Sequence, residues 1–505
     1  MHPCLRLDEI IRLLARELIE SEAKRTAVAL AWCCRTLEEP VLDGLWETQA
    51  RLTPLLKCLP QDTWEGPTKF VSLLIAFTLH IVSRKIRKSF KITPTKAEWA
   101  DFRKYALRMR RLEMGVSTDD PTILDIFLVQ HSHATKDPWL PRLKTFICGY
   151  STEEFIPFIP FFLSPQTTKI SIGFRGGIPP AAAVAPMITR LPTLCPNIES
   201  ITLDPLPTDP VITEAVSEML LACRGDRLQV FIVGSPLTEE ARKVVYQLPR
   251  LLEIGTKIEG STLLPPVALP NLTTIYLEFD GCLDWLRGFR GANLEKLETV
   301  GFHSTSGRTG DFLGAFESIA LAASAQNTLS YFRFYTPHSW NPNYRSLLPF
   351  TQLEELSIES SCEMGCSSNV EDDVLVEMAR AMPKLEILEL GGPPCKTSAG
   401  VTIKGLTALA RNCRRLSRLR IHFRTDSIFE TPSHPDDETA ARRHDCALTD
   451  LEVGRTPLHN RNAAMVAKGL LQIFPCLWNI QHAGGWWPEV ELNVHFFQQN
   501  GEAKR

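Results

Sequence analysis

The residue types that most often carry out chemistry occur in this chain without the spacing that catalysis or metal binding requires. His131 and His133 form an HSH pair with no third ligand spaced nearby, and Cys362 and Cys366 form a single CEMGC pair. A zinc site needs four protein ligands, or three and a water. We therefore interpret these residues as an exposed helix end and an inter-element loop, and predict no metal site and no cofactor.

Motifs of nucleotide-binding and hydrolytic enzymes are also missing. The sequence contains no GxxxxGKS, HExxH or GxSxG, and the glycine-rich stretch at residues 173–180 lacks the spacing of a phosphate loop. The side chains best suited to specific contact are instead aromatic and charged ones at matched positions of similar segments, and aromatic and Arg residues often dominate interface energies. The predicted partner-binding residues are Tyr276, Tyr331, Arg333, Glu355, Ile387, Glu389, Arg418 and Arg420. The chain is predicted not to be an enzyme.

A repeated motif positions these side chains. The pattern L-x-x-L-x-L, with aliphatic or aromatic substitutes, recurs about thirteen times at spacings of roughly 21 to 32 residues. Clear copies begin at Leu143, Ile198, Leu228, Leu272, Leu297, Leu329, Leu353, Leu385, Leu416 and Leu448, and weaker ones at Thr167, Leu251 and Leu477. An apolar residue precedes most copies by three positions, often followed by a proline, which ends a helix before the strand. Each repeat is therefore predicted to consist of a helix, a break and a short strand.

Such units cannot bury their apolar faces alone, so they stack. The period predicts an α/β leucine-rich-repeat solenoid, curved, with parallel strands on the concave face and helices outside. In the copy at Leu385, alternation sends Leu388 and Leu390 inward and Ile387 and Glu389 onto the concave face. A conventional βαβ domain with similar strands is the alternative, which a fixed period disfavours.

The charged residues on this face admit a plainer interpretation. Arg418 and Arg420 lie between Glu389 and the pair Asp450 and Glu452, and the alternative to partner binding is that they only neutralise their neighbours in the sheet. Exposed pairs of this kind contribute about 0 to 1 kcal/mol each. Partner binding and simple charge neutralisation both remain open for these arginines at this stage.

Bulk composition indicates an ordinary soluble class. With 55 basic and 58 acidic residues and a pI near 6.5, no global charge favours nucleic acid or a membrane surface. The longest apolar stretch, Phe70 to Val82, is shorter than the roughly 20 residues that cross a bilayer. Fourteen scattered cysteines indicate reduced thiols, and the first residues do not resemble a signal peptide. We expect a cytoplasmic or nuclear location, or both.

The N-terminal segment predicts a small three-helix unit. Ile10, Ile11, Leu14 and Leu18 share one face of a first helix, a second helix covers about residues 22–34, and a third ends at Trp46 after a break at Pro40. At about sixty residues such a unit is close to the limit of independent stability. It is therefore expected to depend on a neighbour or a partner.

The closing part of this segment resembles an F-box. Cys34, Arg35, Leu37, Pro40, Leu42, Leu45 and Trp46 match the family's closing pattern, and Glu9, Ile10 and Ile11 match its opening helix. Arg6 and Leu7 stand where the family has Leu-Pro. An F-box followed by leucine-rich repeats is a known arrangement, and the whole chain resembles the F-box proteins that are abundant in mushroom-forming fungi.

The resemblance implies a non-catalytic substrate receptor of an SCF-type, cullin-RING ubiquitin ligase. In that family the F-box docks on the Skp adaptor and through it on cullin, and the repeats hold the protein to be ubiquitinated and degraded. The implied adaptor contacts are Ile10, Ile11, Leu14, Pro40 and Leu42, and core packing is an equally weighted alternative for each. The missing Leu-Pro favours a second function, a repeat scaffold for protein interactions with no ubiquitin-ligase role.

The segment between the two regions is basic. Residues 84–111 contain eleven Lys or Arg against Glu98 and Asp101. However, Trp99, Phe102, Tyr105, Ala106, Met109 and Leu112 fall on one helical stripe, so we predict an amphipathic helix that packs against the first repeat. Residues 70–90 fit the family poorly, and Val71-Ser72 suggests the hypothesis that they are partly translated intron sequence.

These observations predict a domain organisation. The segments are 1–64, an F-box-like helical domain; 65–93, an atypical apolar and basic insertion; 94–138, linker helices; 139–485, the solenoid, with a mobile polar insertion at 424–445; and 486–505, a C-terminal tail. The predicted partners are the Skp adaptor, cullin through it, and a protein substrate, with neither nucleic acid nor a membrane.

Overall fold

The structure is a computed structural model that divides into two compact units, Met1–Ala241 and Arg242–Arg505. It describes residues 8–21, 23–56, 58, 96–114, 138–151, 153, 155–174, 178–223, 225–259, 269–280, 292–305, 327–336, 344–360, 370–391, 400–429, 446–454, 456, 458, 462–482 and 485–500. Outside these ranges lie the predicted insertion 65–93, most of the insertion 424–445, residues 115–137 of the predicted linker, and His131, His133, Cys362 and Cys366. Within them, no helix is long and apolar enough to cross a membrane.

Three helices open the first unit: α1 (Asp8–Glu20), α2 (Lys24–Cys33) and α3 (Arg35–Glu47). Their shared core consists of Ile11, Ala15, Ala27, Ala31, Leu37 and Val41. Half of these six residues are alanines, which bury little apolar area, so the three helices gain only modest stability from one another. The predicted three-helix arrangement is present.

The strands of the first unit run parallel. They are β1 (Thr48–Gln49), β2 (Arg111–Met114), β3 (Thr145–Ser151), β4 (Lys169–Phe174), β5 (Ser200–Leu203) and β6 (Val230–Val233). Each pairs with the next in chain order, and Leu112, Phe146, Ile170, Ile201 and Phe231 are successive partners across the sheet. All five side chains are buried. A continuous apolar row therefore runs through the unit, as stacked repeats require.

Helices lie between these strands. They are α4 (Thr53–Leu56), α5 (Lys96–Ala106), α6 (Ile159–Phe162), α7 (Ala181–Leu194) and α8 (Pro210–Ala222), and α9 (Glu239–Val245) crosses the division between the units. The start of α8 is encoded locally, because the Asp209 side chain accepts a hydrogen bond of 2.8 Å from the Val211 amide and Pro210 takes the first helical position. Helices α7 and α8 pack on each other.

The second unit repeats the scheme with nine strands among its described residues. They are β7 (Glu253–Glu259), β8 (Thr274–Asp280), β9 (Thr299–Ser304), β10 (Tyr331–Thr336), β11 (Glu355–Ser360), β12 (Ile387–Leu390), β13 (Arg418–Arg420), β14 (Asp450–Gly454) and β15 (Asn479–His482). All pair in parallel in chain order, with buried Ile275, Val300, Phe332, Leu356, Leu388, Leu419, Leu451 and Ile480 as successive partners. This row is the core of the second unit.

The helices of the second unit are α10 (Asp372–Ala381), α11 (Ile403–Asn412), α12 (Ala463–Ile473) and α13 (Trp487–Gln499). Helix α13 lies in the segment 486–505, for which the sequence suggested only a tail. It packs on α12, and its Trp487 is buried, with Nε1 donating a hydrogen bond of 2.8 Å to the Thr456 carbonyl. A packed helix thus covers the last repeat, as solenoid ends require.

The predicted fold class is confirmed. Each of the thirteen motif copies, from Leu143 to Leu477, leads into one parallel strand from β3 to β15. This one-to-one match between motif and strand confirms the prediction of leucine-rich repeats. The sheet also contains β1 and β2, which precede the predicted start of the solenoid at residue 139.

The helix predicted after residue 94 is present as α5 but is shorter than its apolar stripe. Phe102 and Ala106 are buried on α5, whereas Met109 follows a turn and Leu112 belongs to β2. The side chain of Trp99 lies outside the described residues. The prediction was therefore correct about the burial of Phe102, Ala106, Met109 and Leu112, and wrong about the helical conformation beyond Ala106.

Candidate functional site

One side of the second unit's sheet carries the side chains that do not enter the core. Strand β10 shows this most clearly, because Tyr331, Arg333 and Tyr335 are exposed while Phe332 and Phe334 between them are buried. We call this side the outward face. It consists of Tyr276, Glu278, Gly301, His303, Tyr331, Arg333, Tyr335, Glu355, Ser357, Glu359, Ile387, Glu389, Arg418, Arg420, Asp450 and Glu452.

All eight residues predicted for partner binding lie on the outward face in two adjacent rows. The register places Tyr331, Glu355, Ile387 and Arg418 side by side on successive strands. A second row contains Tyr276, then Gly301, Arg333, Ser357, Glu389 and Arg420. The predicted orientation of β12 is also found, with Leu388 and Leu390 buried and Ile387 and Glu389 only half-buried.

The tyrosines give this face exposed aromatic surface. A Cβ atom on Gly301 would lie 2.5 Å from Cδ1 of Tyr276, so the Tyr276 ring lies directly over the Gly301 backbone. Tyr276, Tyr331 and Tyr335 are between 36% and 43% exposed. The ring of Tyr335 meets that of His303 edge-on, with centroids 4.8 Å apart. Tyr335 and His303 were not predicted, although the same alternation, continued by two residues along β9 and β10, gives both.

Ion pairs organise the rest of the outward face. Arg333 binds the nearly buried Glu355 through two hydrogen bonds, one of them 3.1 Å from Nη2 to Oε2. Arg420 is held by three carboxylates. Its Nε lies 2.6 Å from Glu452, and its Nη1 lies 2.6 Å from Glu359 and 3.9 Å from Glu389.

The pKa of Arg420 reflects this arrangement. Burial alone would lower it, but the hydrogen bond to Glu452 and the charges of Glu389 and Glu359 raise it above its ordinary value. Arg418, two residues away on the same strand, is exposed. The two arginines that the sequence presented as equivalent therefore differ: Arg420 is part of the sheet's own charge network, and Arg418 is accessible to a partner.

The predicted adaptor contacts separate into two groups. Ile11 and Pro40 are buried within the three-helix unit, so they pack its interior. Leu14 is 41% exposed, and Ile10 and Leu42 are half-buried. The apolar face of α1 turns toward the core through Ile11 and Ala15 and leaves Leu14 outside.

Other exposed apolar residues of the three-helix unit were missed. Leu13 on α1 is 61% exposed, and on α2 Val28 is 37% and Trp32 is 84% exposed. Val28 and Trp32 are one helical turn apart and so point the same way. The available signal was the helical spacing of the alanines in α2, where Ala27 and Ala31 are buried while Val28 and Trp32, one position further along, are exposed.

The metal-ligating residue types are dispersed in the described part of the chain. No group of three or more His, Cys, Asp and Glu residues there could hold a metal ion. The nine described cysteines are free thiols, and four of them are buried.

Comparison with solved structures finds leucine-rich-repeat proteins of low sequence identity. No protein-family model and no curated protein matches the chain. Among solved structures, a leucine-rich-repeat protein from Leptospira interrogans is 12% identical with a TM-score of 0.37, over 78% of this chain and 82% of that one. The TLR13–ssRNA13 complex is 14% identical with a TM-score of 0.36, over 75% of this chain and 61% of that one. A Bacteroides fragilis protein is 13% identical with a TM-score of 0.22, over 57% of this chain and 76% of that one.

Proposed function

We propose that this protein is the non-catalytic substrate-recognition subunit of an SCF-type ubiquitin ligase. In this proposal α1 to α3 dock on the Skp adaptor, and through it on cullin, and the outward face of the second unit binds a target protein. The observation that carries the proposal is the exposure of Trp32 and Leu13 on a three-helix unit in which three of the six fully buried core residues are alanines. A single exposed apolar residue is ordinary, but exposed Trp and Leu on adjacent helices favour a protein contact.

The proposed adaptor contacts are Leu13 and Leu14 on α1 and Val28 and Trp32 on α2, together with the half-buried Ile10 and Leu42. Ile11 and Pro40 act indirectly in this proposal, because they fix the packing of the helices. Docking would bury apolar surface that water now covers, and it would supply the partner that a unit of this size needs for stability.

The outward face is the proposed surface for the target. Tyr276 and Tyr331 present rigid, exposed rings, and the ring of Tyr276 is fixed over Gly301. Tyrosine and arginine side chains that are exposed and held in place by neighbouring residues are typical of interface anchors. Arg333 is 64% exposed although it pairs with Glu355, so it remains available for a contact.

A second candidate function is a repeat scaffold that binds proteins through the outward face without any adaptor. Arg6 and Leu7, in place of the F-box Leu-Pro, are the observation that favours it. The two candidates share the outward face and differ only in the role of α1 to α3, so adaptor binding separates them.

Binding of purified protein to purified Skp adaptor tests the proposal. We expect the wild-type protein to retain the adaptor. Leu14→Asp and Trp32→Asp should each weaken retention about tenfold or more, because each substitution removes apolar contact area and places a charge in the proposed interface. Leu492→Asp is the matched control, since Leu492 on α13 is 67% exposed and lies in the second unit.

Circular dichroism melting must show that all three variants remain folded. If the wild type fails to retain the adaptor, the ligase proposal is wrong and the scaffold function stands. If Leu14→Asp and Trp32→Asp bind as well as wild type, the adaptor does not use this surface.

A further inference from the structure

A cavity in the first unit lies between α1, α3, the end of α5 and the segments that lead into β2 and β3. Its volume is about 340 Å³. The basic residues around it are Arg12, Lys104, Arg108, Arg110 and Arg142, and the acidic ones are Glu39, Asp43 and Glu47. Cations thus outnumber carboxylates by five to three.

Two of the carboxylates are already occupied by cations of the wall. Arg108 pairs with both Glu39 and Asp43, and Arg12 lies 3.0 Å from Asp43. The Arg108 side chain is only 9% exposed, and its Nε has no hydrogen-bond partner in the described part of the chain. These pairs join α3 to the end of α5 and form the rigid wall of the cavity.

Arg110 and Arg142 form no ion pair with the described residues. Among the described residues, neither has a carboxylate within salt-bridge distance, and the Arg110 guanidinium reaches only the carbonyl oxygens of Leu107 at 3.1 Å and Arg142 at 3.5 Å. Burial and then the charge of Arg142 lower the pKa of Arg110, while Glu47 and Asp43 offset this in part. Two cations are therefore held close together in a concave site.

We propose that this cavity binds a doubly charged oxyanion of the phosphate class, held between the guanidinium groups of Arg110 and Arg142. Planar guanidinium groups donate paired hydrogen bonds that match phosphate oxygens, and the two positive charges balance a dianion. The volume is about ten times that of a water molecule and lies within the range of small-ligand sites, so a phosphate monoester fits. The group can come from a free phosphate compound or from a phosphorylated side chain.

Isothermal titration calorimetry on the full chain, at constant ionic strength set with sodium chloride, tests the site. The probes are inorganic phosphate, a short phosphoserine peptide and the same peptide without phosphate. We expect saturable binding of a phosphate probe that Arg110→Gln and Arg142→Gln each weaken about tenfold, because each removes one of the two charges.

Two further variants separate a binding role from a structural one. Glu47→Gln removes a carboxylate beside Arg110 and is expected to tighten phosphate binding, which no loss of structure would do. Arg190→Gln is the matched control, because Arg190 is an exposed arginine on α7 away from the cavity, and it should bind as wild type does.

The two phosphate probes distinguish the source of the group. Equal affinity for inorganic phosphate and phosphopeptide indicates a free phosphate compound, and binding of the phosphopeptide alone indicates a phosphorylated side chain. Absence of saturable binding by both probes would overturn the proposal, as would unchanged affinity in Arg110→Gln and Arg142→Gln variants with wild-type melting temperatures.

Discussion

At the scale of single residues, Arg420 links its own strand to three others of the outward face through its ion pairs. Its side chain is 19% exposed and lies among Glu359, Glu389 and Glu452, of which Glu389 is only 12% exposed. Removing the cation from such a site leaves three partly buried carboxylates close to one another without the positive charge that they share, which costs more than an exposed ion pair contributes.

We therefore expect Arg420→Met to lower the free energy of unfolding by about 2 kcal/mol, as measured by urea denaturation of the full chain. Arg418→Met is the control, since Arg418 lies on the same strand and is exposed, and it should change stability by about 0.5 kcal/mol or less. Equal effects of the two substitutions would show that the network around Arg420 does not stabilise the sheet.

At the scale of elements, Asp372 joins two consecutive repeats. It lies in the first turn of α10, and its Oδ1 accepts hydrogen bonds from the backbone amides of Thr402, at 2.8 Å, and Gly405, at 3.1 Å, at the start of α11. Its second oxygen binds the Thr402 hydroxyl. A Cβ on Gly405 would lie 2.6 Å from the same carboxylate, so glycine allows this close approach. One side chain thus satisfies amides that a helix start leaves unpaired.

Asp372→Ala should lower the free energy of unfolding by about 1 to 2 kcal/mol and speed hydrogen exchange at the first amides of α11. The adjacent Asp373 offers a matched control. Its ion pair with Lys404 is exposed on both sides, so Asp373→Ala should cost about 0.5 kcal/mol or less. Exchange rates in α11 that are the same in both variants would contradict this role for Asp372.

Strands were predictable from the sequence because the repeat motif is local. The one motif-bearing strand that was missed, β2, has the form Met109-x-x-Leu112-x-Met114, which is the repeat pattern with methionines. Its residues were assigned to the helical stripe of α5 instead, because Met109 and Leu112 also fit a helical period. A six-residue apolar pattern can satisfy both periods, and only pairing with β3 decides between them.

The candidate sites were less predictable because their parts are distant in sequence. Arg110 and Arg142 line one cavity only because β2 and β3 are neighbours in the sheet, and Arg12 pairs with Asp43 on α3 as well as with Asp8 on its own helix. The contact of Tyr276 with Gly301 likewise depends on the register of β8 and β9. Alternation gave the face on which a residue lies, but neither its partners nor its exposure.

At the scale of the whole molecule, buried thiols occur in both units. Burial raises the pKa of Cys195 and Cys413 to about 12 and that of Cys223 and Cys446 to about 11, from an ordinary value of 9.0. The folded chain therefore keeps protons that the unfolded chain releases above pH 9. Their contribution to stability is fully present below pH 9 and is lost as the pH rises toward the folded-state values.

Between pH 8 and pH 10, the contribution of each such thiol to the free energy of unfolding should fall by about 1 kcal/mol. In urea denaturation with a reductant present, the double variant Cys413→Ala, Cys446→Ala should therefore lose about 2 kcal/mol less than wild type over this interval, whatever its stability at pH 8. Cys33→Ala, which removes an exposed thiol, should leave the wild-type dependence on pH unchanged. If the double variant and wild type lose the same stability between pH 8 and pH 10, these thiols ionise in the folded protein, and the second unit is more open to water around α11 and β14 than its packing indicates.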